Sequence, residues 1–281
     1  MTNDPRPLSA GVLGHPIAQS KSPRLFRHWF ETYAMDGSYA PCLVKAASFE
    51  TAVRGLAAAG FRGVNCTIPH KEAALAIADE ASDAARAIGA ANTLSFRTDG
   101  AIHADNTDGF GFLENLAAEA PDWRAASGPA LILGAGGAAR AAAHALLEAG
   151  CPELRIANRT GARSRELAAH FGGRAVAVDW AAREAALDGA ALAANATSLG
   201  MTGQPPLDIR LDAAPTGAVV TDMVYAPLET DLLAAARARA LTAVDGLGML
   251  LHQARPGFRR WFGRDPAVTP ALRAACLDAA T

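Results

Sequence analysis

The stretch Gly134-Ala135-Gly136-Gly137-Ala138-Ala139 has the residue types and spacing to hold a phosphate group through its backbone. A short apolar run, Ala130 to Leu133, precedes it, and an alanine-rich helical pattern follows and ends at Gly150. The pattern is G-x-G-x-x-A set between a strand and a helix, the context that gives this fingerprint meaning. The first glycine permits a tight turn, the second lets the backbone approach a pyrophosphate, and a small third residue lets helix and strand pack closely. Unpaired N–H groups at the helix start, backed by the helix dipole, favour an anion there. The alternative is an ordinary tight strand-to-helix turn. The sequence context favours dinucleotide binding.

The next strand bears on the choice of dinucleotide. Glu153 to Ala157 reads as that strand, and an NAD site would place an acidic residue at its end to hold the ribose 2′-hydroxyl. Here Asn158-Arg159-Thr160 stands at the position, with Arg163 one helical turn later. Two guanidinium groups and a hydroxyl suit a 2′-phosphate, and no carboxylate is present to repel it. A merely solvated basic helix start would oppose the helix dipole. NADP is expected.

Lysine is the other residue type that stands out. Of 26 basic residues only Lys21, Lys45 and Lys71 are lysines. Arginine is effectively always charged, whereas a lysine can give up its proton in a suitable site. Lys71 follows Ile68-Pro69-His70 in the first turn of an expected helix, and Lys21 lies between Ser20 and Ser22. Pro23 suits a first helical position, which would make Ser22 the N-cap.

Composition narrows the classes. At 281 residues the chain has room for two domains. It is 51% hydrophobic, yet no apolar run approaches the roughly 18 residues of a membrane span. The first residues lack a secretory pattern, so a cytoplasmic protein is expected. A net charge of −2 offers no electrostatic case for nucleic acid. Cys42, Cys66, Cys151 and Cys276 have no metal-ligand spacing, and Cys66 reads as a small buried residue. Asp105-Asn106-Thr107-Asp108-Gly109 superficially suggests a calcium loop, but its twelfth position is Leu116 instead of Glu. No metal is expected.

The elements that must position these residues alternate along the chain. Strands are expected at 9–13, 40–44 and 63–67, with helices after Ser22, over 48–59 and after Lys71. A hairpin around Asp99-Gly100 joins strands at 91–96 and 101–104, and a helix opens at Asp108 with Phe112, Leu113 and Leu116 inside. Pro121 to Pro129 reads as a linker. Beyond it strands at 130–133, 153–157, 174–178, 190–194, 218–222 and 241–244 alternate with helices, which implies an α/β, doubly wound, mostly parallel sheet. The connection 195–217 is too long to be idle and is expected to line a ligand crevice. A terminal helix over 249–262 falls outside the alternation and is expected to return to the first domain. That gives a discontinuous domain, 1–107 with 245–281, and a second domain, 108–244.

Eight segments, in order and over nearly the whole chain, resemble the shikimate dehydrogenase family: SKSP at 20–23, NCTIPHK at 65–71, AANT at 90–93, DNTDGFG at 105–111, GAGGAAR at 134–140, NRT at 158–160, NATSLGM at 195–201 and DGLGMLLHQA at 245–254. The resemblance implies reversible reduction of 3-dehydroshikimate to shikimate by NADPH, in aromatic amino-acid biosynthesis. It implies an α/β substrate-binding domain and a Rossmann-type NADP domain with a cleft between them. Lys71 and Asp108 match the family's catalytic pair, with Lys71 as proton donor and acceptor at the reacting oxygen. Ser20 and Ser22 match the positions that hold the substrate carboxylate, with Tyr225 reaching in from the other domain. Thr67, Asn92, Asp108 and Gln253 match the remaining substrate contacts. Gly134, Ala135, Gly136, Gly137, Ala138, Asn158, Arg159, Thr160 and Arg163 match the NADP site, Met223 and Gly246 lie near its nicotinamide, and Asp83 aligns with an acidic position sometimes assigned to the cofactor.

Two alternatives stand beside this reading. One is a quinate/shikimate enzyme that uses NAD or both cofactors. The other is a non-catalytic, NADP-sensing regulator on the same fold. The expected partner is a small molecule, and the expected assembly is a monomer or homodimer. Pro256 and Gly257 fall inside the expected terminal helix and bear on the placement of Gln253. His15, Gln19 and His252 receive no role.

Overall fold

The computed structural model describes residues 4–277. They form two compact units, one running to Thr107 and resuming at Gln253, the other covering Asp108–His252. Among the described residues no helix is long and apolar enough to cross a membrane.

The first unit contains β1 (Leu8–Gly14), α1 (Ser22–Thr32), β2 (Gly37–Leu43), α2 (Phe49–Ala58), β3 (Gly63–Cys66), α3 (Lys71–Ala76), β4 (Glu80–Ala81), α4 (Asp83–Ile88), β5 (Thr93–Phe96) and β6 (Ile102–Asp105). Its sheet has the order β2-β1-β3-β5-β6-β4. β1 runs parallel to β2 and β3, while β5 is antiparallel to both β3 and β6. The mixed pairing follows from chain length. Short connections through the hairpin at Asp99-Gly100 can only reverse direction, whereas the helical crossovers α1 and α2 return parallel strands. The two-residue β4, paired in parallel with β6, is too short to leave a pattern in the sequence.

The second unit contains α5 (Asp108–Glu119), β7 (Ala130–Leu133), α6 (Gly137–Glu148), β8 (Leu154–Ala157), α7 (Gly161–Phe171), β9 (Ala175–Val178), β10 (Leu192–Asn195), β11 (Val219–Asp222), α8 (Asp231–Ala238), β12 (Thr242–Val244) and the start of α9 (Gly246–Phe262). Its sheet is parallel throughout in the order β12-β11-β10-β7-β8-β9. This is the doubly wound arrangement, with the strand order reversing between β7 and β10. β7 is fully buried along its length, as an all-parallel central strand should be. The long connection after Asn195 is itself packed: Leu199, Leu207, Ile209, Leu211 and Ala214 are buried in the core beneath it.

The last turns of α9 and a final helix, α10 (Pro270–Leu277), belong to the first unit. The strand–helix alternation gives no sign of α10. Pro256 lies inside α9, which nevertheless runs unbroken to Phe262. Around its end Phe258, Trp261 and Phe262 gather with Phe26, Trp29 and Phe30 of α1 and with Tyr39 of β2. Burying each such side chain contributes about 1.5–3 kcal/mol.

Gly63 shows how tightly α9 meets the sheet. A Cβ on Gly63 would run into the indole Nε1 of Trp261 and the carbonyl of Leu94, and that indole donates to Ser95 Oγ at 3.0 Å. Gly63→Ala is expected to cost about 1–3 kcal/mol through overpacking. Thermal denaturation should show a Tm lower by about 3–10 °C; an unchanged Tm would contradict this packing.

Candidate functional site

The sheet of the first unit delivers most of the expected substrate residues to one edge. β1 and β3 are parallel, so the segments that leave their C-terminal ends, 15–21 and 67–70, emerge side by side. They are tied together there: Thr67 N donates to Leu13 O at 2.9 Å and His15 N to Ile68 O at 3.0 Å. β5 runs the other way, so its beginning, not its end, lies at the same edge; Thr93 faces Asn65 of β3 and Asp105 of β6. The segments that carry Ser20, Ser22, Thr67, Lys71 and Asn92 therefore leave the sheet at one edge although they span much of the unit's sequence.

Ser22 requires a correction. It is the first residue of α1, not its N-cap; Lys21 holds the cap position and no side chain caps the helix. The helix begins one residue earlier than Pro23 suggested, because proline is tolerated anywhere in the first turn, where N–H groups lack intrahelical partners. Ser82 and Thr230, by contrast, do cap α4 and α8. The Ser22 hydroxyl is thus not consumed by capping. It is buried, and Ser22 N donates to Ser20 Oγ at 3.4 Å.

Lys71 opens α3, half-buried, directly after the cis Ile68-Pro69 bond and the buried His70. His70 is a structural residue: its ring stacks on Phe49 at 4.5 Å and its Nε2 lies 2.8 Å from Val44 O. Cys66 is structural too. Burial pushes its thiol to about 12, the opposing effect of the nearby Lys71 charge being smaller.

Asn92 is 3% exposed and sits at the centre of a polar network. Its Oδ1 accepts from Thr107 N at 2.9 Å, from Thr107 Oγ1 at 3.1 Å and from Thr93 Oγ1 at 2.9 Å. Its Nδ2 donates to Gln253 Oε1 at 3.2 Å. The structure therefore brings Asn92 and Gln253 together, and Pro256 does not displace Gln253. Thr93 and Thr107 belong to the same network but are not among the residues expected from the sequence. Both lie inside the motifs AANT and DNTDGFG, which is the signal that could have pointed to them.

In the second unit the glycine-rich turn follows β7 at the point where strand order reverses. Gly134 has φ +114°, and a Cβ there would meet Ala196 O at 2.9 Å in the loop leaving β10. Ala139 is fully buried, which fits the expected tight helix–strand packing. Gly136 caps α6 without a side-chain hydrogen bond, and a Cβ on Gly136 or Gly137 would meet nothing within 4 Å. The turn is an open cradle lined by backbone, with Ala135 and Ala138 flanking it.

Asn158, Arg159 and Thr160 form the turn from β8 into α7, with Asn158 Nδ2 donating to Thr160 O at 3.0 Å. The first turn of α7 holds no acidic residue. Arg159 and Arg163 are exposed, and among the described residues neither is in an ion pair. Two uncompensated guanidiniums at a helix N-terminus fit a phosphate ligand and leave the dipole conflict unrelieved without one.

Met223 and Gly246 also meet: a Cβ on Gly246 would clash with the Met223 carbonyl, 2.5 Å away. Behind them Asp222 is fully buried and accepts from Asn195 Nδ2, Val224 N and Thr230 Oγ1. Desolvation raises its carboxyl, with the three hydrogen bonds acting in the other direction. This cluster pins the start of the loop that carries Met223 and Tyr225. Tyr225 is half-buried, and burial raises its phenol. Asp108 is buried as the first residue of α5. Asp83 lies exposed at the first position of α4 in the first unit, and is not part of the polar network around Asn92.

Comparison with known proteins agrees with these motifs. Residues 12–94 match the shikimate dehydrogenase substrate binding domain, 115–198 the shikimate/quinate 5-dehydrogenase family and 246–276 the shikimate 5′-dehydrogenase C-terminal domain. A shikimate dehydrogenase (NADP(+)) of Roseobacter denitrificans is 57% identical over 95% of this chain and 97% of its own length. Among solved structures, shikimate 5-dehydrogenase of Thermus thermophilus in complex with NADP(H) and shikimate is 39% identical, with a TM-score of 0.85 over 96% of this chain and 98% of that one. Quinate dehydrogenase of Corynebacterium glutamicum in complex with NAD is 30% identical, with a TM-score of 0.88 over 96% and 99%. The chain belongs to the shikimate dehydrogenase family.

Proposed function

We infer that this chain is an NADP-dependent shikimate dehydrogenase, catalysing reversible reduction of 3-dehydroshikimate to shikimate. The reading is carried by the convergence, on one sheet edge, of the hydroxyl-, amide- and lysine-bearing motifs. They do so in a chain more than half identical to an enzyme of that name.

NADPH, when bound, supplies the hydride. The open backbone at Gly134, Ala135, Gly136, Gly137 and Ala138 would hold its pyrophosphate, since a backbone cradle at a helix N-terminus offers donors that need no reorganisation. Asn158, Arg159, Thr160 and Arg163 would take the 2′-phosphate, and Met223 with Gly246 would flank the nicotinamide. Asp83 receives no cofactor role from its surroundings, and its assignment rests on the family position alone.

Lys71 then acts at the reacting oxygen. Negative charge builds there as the carbonyl is reduced; an ammonium stabilises that charge and gives up a proton to it, and takes the proton back in the oxidation. Ser20 and Ser22 would donate to the substrate carboxylate. Thr67, Asn92, Gln253 and Asp108 would bind ring hydroxyls, Asp108 as an acceptor. Amide and hydroxyl groups held in a buried network discriminate strongly against a ring that lacks the matching hydroxyl.

The deciding experiment follows nicotinamide absorbance with shikimate or quinate, each with NADP or NAD. Turnover confined to shikimate and NADP is expected. Equal use of quinate or NAD would favour the broader quinate/shikimate enzyme, and no turnover with any pair would favour an NADP sensor.

Three variants separate the roles. Lys71→Ala should lower kcat by about 10²–10⁴-fold with NADP affinity intact, and an unchanged kcat would remove Lys71 from the mechanism. Arg159→Ala should raise the KM for NADP by about 10- to 100-fold while leaving that for NAD nearly unaltered, as expected for loss of a charge-assisted hydrogen bond. Gly136→Val should leave the Tm unchanged, because the added atoms enter open space, yet abolish NADP binding in a calorimetric titration. Retained binding would place the pyrophosphate elsewhere.

A further inference from the structure

Beyond the groups that would touch substrate, Tyr39 of the edge strand β2 joins the network from behind. Its ring lies flat against Phe26, with centroids 3.8 Å apart, and its hydroxyl is 2.7 Å from Asn65 Oδ1. Asn65 is 6% exposed, and its Nδ2 lies 3.2 Å from the Asn92 carbonyl and 3.0 Å from Thr93 Oγ1. Thr93 Oγ1 in turn reaches Asn92 Oδ1 at 2.9 Å.

Two main-chain groups fix the direction of every bond in this chain. The Asn92 carbonyl can only accept, so the amide edge that Asn65 turns to it must be the NH₂. The opposite edge of Asn65 is then its oxygen, and Tyr39 must donate to it. The Thr107 N–H can only donate, so the edge of Asn92 that it meets must be Oδ1. Thr93 receives from Asn65 and hence donates to Asn92 Oδ1, and the Asn92 NH₂ donates to Gln253 Oε1. Hydrogen bonds thus run one way, from Tyr39 through Asn65, Thr93 and Asn92 to Gln253.

We propose that Tyr39 is a positioning residue for the reaction, holding in place through Asn65 and Thr93 the amide orientation that the two main-chain groups select and with which Asn92 and Gln253 meet the substrate's ring hydroxyls. This role rests on the shikimate dehydrogenase reading above. Tyr39 is suited to it as a permanent donor. Desolvation holds its phenol well above the ordinary tyrosine value, so it stays protonated throughout the working range. The Ser22 hydroxyl lies beside it, acting weakly in the opposite sense, so one phenol adjoins both the proposed carboxylate end and the hydroxyl end of the site.

Tyr39→Phe keeps the ring on Phe26 and removes only the donor, leaving the Asn65 oxygen buried without it. Steady-state kinetics on the full-length enzyme should show the KM for shikimate raised about tenfold, as expected when a buried acceptor is orphaned. The variant's kcat should stay within about twofold of the parent and its KM for NADP should stay unchanged, while its Tm falls by no more than a few degrees, the stability cost of the orphaned acceptor. In a Gln253→Ala background the same substitution should raise KM by less than about threefold, because the end of the relay is gone. A wild-type KM in Tyr39→Phe overturns the proposal. So does a fall in Tm with kcat and both KM values worsening together, which marks a packing role. Absence of shikimate oxidation by the parent enzyme would overturn the functional reading and the role of Tyr39 with it, whereas with an active parent the variants test Tyr39 alone.

Discussion

The antiparallel insertion of β5 between β3 and β6 is the constraint on which the first unit's site depends. Parallel strands bring their C-terminal ends to one edge, which is why α/β sheets collect ligand-binding loops there. A strand of opposite sense brings its beginning to that edge instead. Asn92 precedes β5, so it arrives beside Thr67 and Lys71, which follow β3, and beside Thr107, which follows β6. Had β5 joined the sheet in parallel, Asn92 would sit a strand length away, roughly 13 Å for four residues. The hairpin that forces the reversal is thus as necessary to the proposed chemistry as any side chain in it.

On the proposed function the two units solve recognition by different physics. The second uses backbone: a glycine held at positive φ, a cradle without side chains and a helix start with unpaired donors. Such a site asks for little beyond negative charge, and the choice between nucleotides is left to the residues after β8. The first unit would use side-chain amides and hydroxyls, with Asn92, Thr93 and Thr107 buried and their donors and acceptors assigned by neighbours. Burying polar groups is costly unless all are satisfied, and a satisfied network is correspondingly rigid. The aromatic cluster on α1, β2 and the end of α9 packs against Tyr39, whose hydroxyl reaches that network through Asn65.

How much of this the sequence discloses depends on range. The glycine turn, the arginines after β8 and the alternation of the second unit are legible because each signal is contained in one short segment with a fixed period or spacing. The site residues of the first unit are legible singly, through the motifs that hold them. Their mutual contacts are not: Tyr39 meets Asn65, and Asn92 meets Gln253, across separations that no local pattern encodes. Ser22 reads as a cap, though it is none, because a Ser-Pro pair before an apolar run fits either of two helix starts. β4 and α10 escape detection because two residues, or a short alanine-rich turn near the chain's end, carry too little periodicity.

The distribution of rigidity also argues for how the family's chemistry is partitioned. Asp222, buried and accepting three hydrogen bonds, fastens the ends of β10 and β11 although its desolvation raises its carboxyl. Asn92 does the corresponding work at the start of β5. In each unit one buried polar residue at a strand end thus fixes the loops around it. A proton donor must reach its target within hydrogen-bond distance, and small displacements weaken transfer steeply. On the proposed function, the rigid amides of the first unit would locate the ring of the substrate, while the long side chain of Lys71 would adapt to it.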